Sequence, residues 1–505
     1  MEQPEKTDES DFAPQNTAQY AERQGDLSRS DSDGVDGLTW TKEEEDKLRH
    51  KIDWHCVPIV TVLYLLCFLD RINIGNARIQ GLAVDLDLNQ GVRFNWVLSI
   101  FYIIYLFVEV PSNIILKKVG PRFYLPFLVV GFGFVSMCTA FVRSYEGLLA
   151  ARAFLGVFEG GAMPGMAFFL SCFYKRGELL FRIGIYVSAA SMAGAFGGLL
   201  AAGLAQVPEW GIASMRINTW RNIFFFEGLL TVIIGLLAPI WMPTDPATAY
   251  FLNERERRIA AERLAREHKD HPDERVTWAH VKRAMLCIHN YTCALGFFLI
   301  NITVQGLSVF MPTILADFKF DPIKAQLMSV PPYVCACLVA IAIAYLSDKT
   351  KQRGLYLAIF AIIAMIGFAI LRWHQDSNIK YMAIYFVTVG AFPGGPAFLA
   401  WAINNSAGPS VRAVSSAYVV TLGTIGGIVS TWTYIKEDGP LYPNGHTVNL
   451  AGQIAVFFLA IFGILYCLRE NRLRAAGKRD HRLEGLSEEE TLHLGYRHPS
   501  FRYIT

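Results

Sequence analysis

Twelve apolar stretches, separated by short polar ones, occupy residues 55–468, near 55–75, 94–115, 123–142, 147–172, 183–207, 222–243, 284–308, 326–346, 355–373, 380–404, 414–435 and 450–468. Each is close to the ~20 residues that a helix rising ~1.5 Å per residue needs to cross ~30 Å of hydrocarbon. Many contain Gly and Pro, which membrane helices tolerate. The longest polar interval, Thr244 to Arg283, divides them six and six. Within it Asn253-Glu-Arg-Glu256 has the form of a helix start, and Arg255 to Lys269 is densely charged with both signs, which predicts a solvated linker helix between the halves. Met1 to Leu38 is rich in Asp, Glu, Gln, Ser and Thr and too poor in apolar residues to pack, so disorder is expected there. Thr41-Lys-Glu-Glu44 is a capping-box pattern with Lys47, Arg49 and Lys51 following, and predicts a short surface helix leading into the membrane.

The two halves echo one another. Gly156-Val-Phe-Glu-Gly-Gly161 in span 4 is matched by Gly390-Ala-Phe-Pro-Gly-Gly395 in span 10. Ser188-Ala-Ala and Gly194-Ala-Phe-Gly-Gly198 in span 5 are matched by Ser415-Ser-Ala and Gly423-Thr-Ile-Gly-Gly427 in span 11. The loop Ser347-Asp-Lys-Thr-Lys-Gln-Arg-Gly354 has a fainter counterpart in Ser112 to Gly120. Three echoes in the same order point to a duplicated six-helix unit with parallel halves. The expected organisation is a polar tail over 1–50, a six-helix bundle over 51–243, a linker over 244–283, a second bundle over 284–468 and a tail over 469–505. The fold class is all-α.

Composition agrees with a polytopic membrane protein: of 505 residues 53% are hydrophobic and 18% charged, with mean hydropathy +0.30. No cleavable signal is visible in the polar first fifty residues, so the first span must act as its own insertion signal. Lys and Arg concentrate in alternate loops (Lys117, Lys118, Arg122, Lys175, Arg182, Lys349, Lys351, Arg353, Arg412) and after the last span, which puts both termini in the cytoplasm. The plasma membrane is the expected location. The nine cysteines fall almost entirely in apolar spans, with neither a disulfide frame nor a zinc spacing, and are read as packing residues. Asn290 and Asn301 match the glycosylation pattern, but one is near the inner face and the other intramembrane, so neither is expected to carry a glycan. There is no catalytic constellation, no phosphate loop with Lys-Ser/Thr and no metal-ligand cluster. An enzyme, an ATP-driven pump, a cofactor, a metal or a nucleic-acid partner is therefore not expected. Secondary transport is, by a monomer in the lipid bilayer.

The intramembrane charges carry the chemistry, because a charge at bilayer depth is costly unless it is paired or lines a wet cavity. Asp70 and Arg71 lie deep in span 1, with Asp70 about 22 Å from its inner start at ~1.5 Å per residue. Arg152 enters from outside to a similar height, and Glu159, seven residues on, stacks on nearly the same face of span 4. An Asp70–Arg152 pair with Arg71 and Glu159 nearby is thus expected, either as a substrate and proton site or as a fixed latch. Tyr102 and Tyr105 share a face of span 2 with Glu109, as substrate contacts or packing aromatics. Glu109 and Asn113, near the inner boundary, are read as gate or structural residues. Glu227 in span 6 is read as structural, holding Arg221 or a helix end. Gln305 in span 7 and Trp401, Asn404 and Asn405 in span 10 offer neutral hydrogen bonds, to substrate or to other helices. Asp348 and Arg353 belong to the inner loop of the second half.

The segments Phe68-Leu-Asp-Arg-Ile-Asn-Ile-Gly-Asn-Ala-Arg78, Val110-Pro-Ser-Asn113, Arg152 to Gly160, Trp220 to Thr231 and Leu327 to Tyr333 resemble the anion:cation symporter family of the major facilitator superfamily. Within it, the chain is most similar to the fungal allantoate permease and nicotinic-acid-permease branch, from Lys51 to Leu468. The resemblance implies two six-helix bundles and proton-coupled uptake of a small organic anion, with Asp70, Arg71, Arg152 and Glu159 at the family's functional positions. Three departures stand out. Asn113 replaces the superfamily's usual Asp, span 4 reads Glu-Gly-Gly rather than Glu-Ala-Gly, and span 5 lacks a Gly-Pro antiporter signature. Charge balance then gives an expected mechanism. Protonation of Asp70 and Glu159 frees Arg71 and Arg152 for a carboxylate, and the neutralised site lets the bundles rock. An exporter of an acidic metabolite with the same fold, or a non-transporting nutrient sensor, are the competing readings.

Overall fold

The computed structural model describes residues 40–212, 215–270, 278–318, 320–407, 409–483 and 494–505; the stretch expected to be disordered, Met1 to Leu38, lies outside them. All twelve apolar stretches become helices. The spans are Lys42–Ala77, Arg93–Val119, Pro121–Thr139, Tyr145–Ser171, Arg176–Leu204, Thr219–Trp241, Ile288–Asp317, Pro322–Thr350, Arg353–Trp373, Ser377–Asn404, Pro409–Ser430 and Pro443–Ala475. Eleven of these helices are long and apolar enough to cross a membrane, and span 11 carries a shorter apolar run, Val414–Ser430. The strands among the described residues are one small hairpin between spans 5 and 6, where β1 (Trp210–Ile212) pairs antiparallel with β2 (Met215–Ile217). Large apolar side chains such as Phe107, Phe154, Leu236, Leu338 and Phe458 point outward, as a lipid-facing surface requires.

Span 1 differs from expectation. Instead of a separate surface helix, one helix runs 36 residues from a closed capping box at Thr41 and Glu44 into the membrane, through Pro58. Between Lys42 and Val57 there is no Gly or Pro to end it. Its polar turns are anchored by Lys175 on Glu45 (2.5 Å) and by Arg182 on Asp53 (2.7 Å). The linker helix, Glu254–Asp270, is capped by Asn253 and is less solvated than its composition implies. Arg263 is fully buried and donates to the Phe173 carbonyl (2.8 Å), while Lys51 pairs with Glu256 (2.7 Å). The linker thus packs on the first bundle.

The sequence echo between spans 4 and 10 has a structural counterpart. Span 4 breaks at Gly160-Gly161, between Tyr145–Glu159 and Ala162–Ser171. Span 10 breaks at Phe392-Pro393, between Ser377–Ala391 and Gly394–Asn404. Both breaks fall inside the matched motifs.

The halves meet along spans 1 and 7, 2 and 11, and 5 and 8, and their direct hydrogen bonds cluster on the side away from the termini. Asn95 donates to the Thr431 and Tyr434 carbonyls (2.5 and 3.3 Å), Ser99 meets Thr431 (2.6 Å) and Gln80 donates to Gln326 (3.0 Å). Trp96 packs edge-on against Trp432, and Phe94 against Phe310. Glycine permits the closeness: a Cβ on Gly75 would stand 2.0 Å from the Val309 carbonyl oxygen, and one on Gly427 2.8 Å from the Tyr102 ring. The far side of the molecule is closed by this seam.

Candidate functional site

Below the seam, between the bundles, lies a cavity of about 890 Å³ including its mouth. The first half lines it with Tyr64, Phe68, Arg71, Tyr102, Tyr105 and Ser191, the second with Phe297, Asn301, Gln305, Phe392, Pro396 and Thr424, among others. These positions lie midway along their helices and toward the terminal face. With the far side sealed, the cavity's access is from the terminal face. Among the described residues Arg71 is the only charged one in the wall.

Span 1 presents Arg71 to the cavity within an aromatic collar. Its guanidinium lies 5.0 to 5.9 Å from the ring centres of Phe101, Phe68, Tyr105 and Tyr102. Behind it Glu159 is fully buried and takes both Arg71 Nη2 (2.8 Å) and Nε (3.3 Å) on one oxygen, Oε2. Cys67 Sγ donates to the same oxygen (3.3 Å), and Oε1 has no hydrogen-bond partner. Breaking such a buried pair from one side typically costs about 3–5 kcal/mol, since the other charge is left uncompensated.

The expected Asp70–Arg152 pair is not formed. Asp70 accepts from Ser136 Oγ of span 3 (3.0 Å), its Oδ2 is unpartnered, and Arg152 leaves Nη2 unpartnered while its guanidinium sits 6.0 Å from the Phe224 ring centre. Height along the helices was matched, but neighbours on a helix point about 100° apart, and it is Arg71 that faces span 4's carboxylate. Asp70, Arg152 and Glu159 are buried behind the cavity wall rather than in it. Contrary to one expectation, Glu227 does not hold Arg221. It accepts from Asn73 of span 1, and Arg221 instead donates to the Ala140 and Val142 carbonyls (2.7 and 2.8 Å).

Tyr102 and Gln305 reach each other across the halves, Tyr102 OH donating to Gln305 Oε1 (3.0 Å), and with Tyr105 all three line the cavity. Trp401, Asn404 and Asn405 do not. They form the last turn of span 10, at its terminal end, past the break that brings Pro396 to the cavity. Trp401 Nε1 and Asn405 Nδ2 both donate to the Ile504 carbonyl (2.8 and 2.9 Å), and Asn405 also meets buried His289 (2.9 Å). Asn404, with its oxygen turned to Arg353, accepts from that guanidinium at 2.8 and 3.0 Å. Arg353 in turn pairs with Asp348, closing the loop between spans 8 and 9. Glu109 is buried near the terminal end of span 2, and Asn113 donates to its backbone carbonyl (3.0 Å).

Sequence reasoning passed over Cys67, Asn73, Ser136, Tyr64, Phe297 and Asn301. The first two were findable, because Cys67, Asp70 and Asn73 repeat every three residues and share a helix face. Asn301, noted only as a glycosylation match, lines the cavity, and Asn290 is buried against Ser415 (2.7 Å). All nine cysteines are free.

The chain matches the family model described as Major Facilitator Superfamily over residues 60–431. It is 33% identical to an uncharacterized transporter of Schizosaccharomyces pombe, over 87% of this chain and 90% of that one. It is 28% identical to the high-affinity nicotinic acid transporter of Saccharomyces cerevisiae, over 96% of this chain and 89% of that one. Among solved structures, the inward-open xylose transporter XylE from E. coli aligns with TM-score 0.63 at 14% identity, covering 80% of this chain and 94% of that one. Twelve helices in two related bundles around one central cavity, and this family match over most of the length, lead to one assignment: the chain belongs to the major facilitator superfamily and is a multi-pass membrane transporter, not an enzyme.

Proposed function

We propose that this transporter couples inward movement of a small organic anion to protons, and that it stands in the anion:cation symporter branch near the nicotinic acid and allantoate permeases. The observation that supports the reading most is the Arg71–Glu159 pair: the one cation lining the cavity among the described residues is held by a carboxylate that lies outside the cavity wall. A substrate carboxylate entering the cavity competes with Glu159 for the same guanidinium. A proton on Glu159 removes the competitor, and Arg71's forked donors then suit the incoming anion. Asp70 and Arg152, one layer behind, set the charge balance that the pair feels. The aromatic collar and the neutral donors Asn301 and Gln305 leave room for a compact apolar body carrying one negative charge. The likeness to the yeast nicotinic acid transporter supports such a cargo.

With the terminal face taken as cytoplasmic, the structure is the inward-open member of the cycle. Anion and proton leave together into a compartment of lower proton activity, and the empty bundles rock back. The test is uptake by cells expressing the chain of a labelled mixture of nicotinate, allantoate and pantothenate at external pH 5 and 7. Accumulation that rises at pH 5 and loses this dependence in Glu159→Gln is expected. Accumulation indifferent to external pH, or net efflux under the same gradient, contradicts the reading.

A further inference from the structure

Glu227 plays no part in the exchange just described, yet it is a carboxyl buried to 2% exposure inside the first bundle. Asn73 donates to its Oε2, and its Oε1 has no partner. No ion pair reaches it within 4 Å among the described residues. Its surroundings are built by spans 1, 3, 4 and 5. Span 1 presents Asn73 and the electrostatic influence of Asp70. Span 3 presents Ser136, and its backbone at Gly133 and Met137 lies against Gly228. Span 4 brings Arg152, beside Phe224 one turn before Glu227, and Glu159 lies beyond Asp70. The outward half of span 5, Ala193 to Leu204, carries no titratable side chain.

These contacts fall in order along one face of span 1. Cys67 touches Glu159, Asp70 three residues on is held by Ser136, and Asn73 three residues further holds Glu227. Each step is ~4.5 Å along the helix. Three carboxyls therefore form a ladder from the sealed far side down to the cavity wall. The cations do not match them: Arg71 is spent on Glu159, and the field of Arg152 reaches Asp70 and Glu159, so among the described residues no cation pairs with Glu227. Two ionised carboxylates and one cation in a dry helix bundle leave an unpaired charge, which a bound proton removes.

We infer that Glu227 is the far-side rung of the proton path, binding the proton that later reaches Glu159. An O–H bond forms on Glu227 when water of the far compartment delivers the proton. It breaks as the Asp70 carboxylate accepts that proton, and Asp70 then passes it to Glu159, which lets go of Arg71. The inference rests on the proposed proton coupling.

The experiment uses full-length protein in cells and a labelled mixture of nicotinate, benzoate, allantoate and pantothenate. In Glu227→Gln, accumulation driven by external acid falls at least tenfold while exchange of preloaded for external label stays within twofold of wild type, and Glu227→Asp restores accumulation. Unchanged accumulation overturns the inference, and so does loss of exchange together with accumulation at normal membrane abundance, which marks a structural residue. If wild type itself shows no acid-driven accumulation, the proton-coupled reading fails rather than this assignment alone. Wild-type protein supplies a readout that needs no variant. A hydrophobic carbodiimide, which consumes protonated carboxyls in apolar surroundings, is expected to modify Glu227 at acidic and not at alkaline external pH. An unmodified Glu227 at acidic pH overturns the inference.

Discussion

The two bundles share an ancestry visible in their broken fourth helices, but they have divided the chemistry unequally. The first bundle buries Asp70, Arg152, Glu159 and Glu227 in its middle and holds Arg71, partly exposed, at the cavity wall. At the same depth the second offers neutral groups: Asn301 and Gln305 at the cavity, and Thr303, Asn449 and Gln453 hydrogen-bonded behind it (2.9 Å each to Thr303). Buried charge is expensive to hold and sensitive to protons, whereas a neutral network has no charge to neutralise. Under the proposed mechanism the asymmetry assigns energy coupling to the first bundle, with the second supplying shape, neutral donors and the moving surface of the seam.

The largest effect expected from this contrast comes from Arg71→Gln, which should lower uptake at least 100-fold and, by leaving Glu159 unpaired, destabilise the bundle by about 3–5 kcal/mol. The double variant Arg71→Gln/Glu159→Gln should recover thermal stability without recovering uptake. Gln305→Ala, its counterpart in the neutral half, should change uptake only severalfold; equal losses from both would erase the division. Next, Gly75→Ala places a methyl against the Val309 carbonyl and should hold the far seam open, seen as faster thiol labelling of a cysteine placed at Ser99. Asn405→Ala should leave the Ile504 N–H and carbonyl short of partners, lowering stability by about 1–3 kcal/mol in a thermal shift with transport of the surviving protein little altered. The smallest effect concerns the linker. Burial pushes Glu256 up, but Lys51 and the Asn253 backbone N–H outweigh it and hold the carboxyl below its ordinary range. That stabilisation is therefore present at neutral pH and is lost as pH falls through and below the ordinary glutamate range, and for a partly exposed pair it is worth at most ~1 kcal/mol. Proteolysis of the linker helix as a function of pH, in wild type and Glu256→Gln, measures it.

Much of this architecture could be read in advance, because the bilayer imposes a length and polarity rule on each span. The rule yields approximate heights as well as elements. It does not yield azimuth. Asp70 and Arg71 are adjacent in sequence yet face span 3 and the cavity respectively, a choice made by how span 1 rolls against its neighbours. Trp401, Asn404 and Asn405 show another limit. Their chemistry suited a substrate, but they lie at the terminal end of span 10, where Ile504 takes up hydrogen bonds of Trp401 and Asn405 and Arg353 takes up those of Asn404. That docking has no periodic pattern to announce it. Tyr503 and Tyr496 are buried, and Arg474 holds the Phe501 and Tyr496 carbonyls (2.7 and 2.9 Å), in a segment that reads as a polar tail.

At the centre stands the claim that Glu159 trades its hold on Arg71 for a proton when an anion enters. Purified wild-type and Glu159→Gln protein in proteoliposomes, with a trapped pH dye and labelled nicotinate, allantoate and pantothenate added outside, tests it. Protons entering with the label in wild type, and label exchanging without protons in Glu159→Gln, is the expected result. Label moving in wild type with no proton, or the same proton-to-label ratio in both proteins, would contradict it.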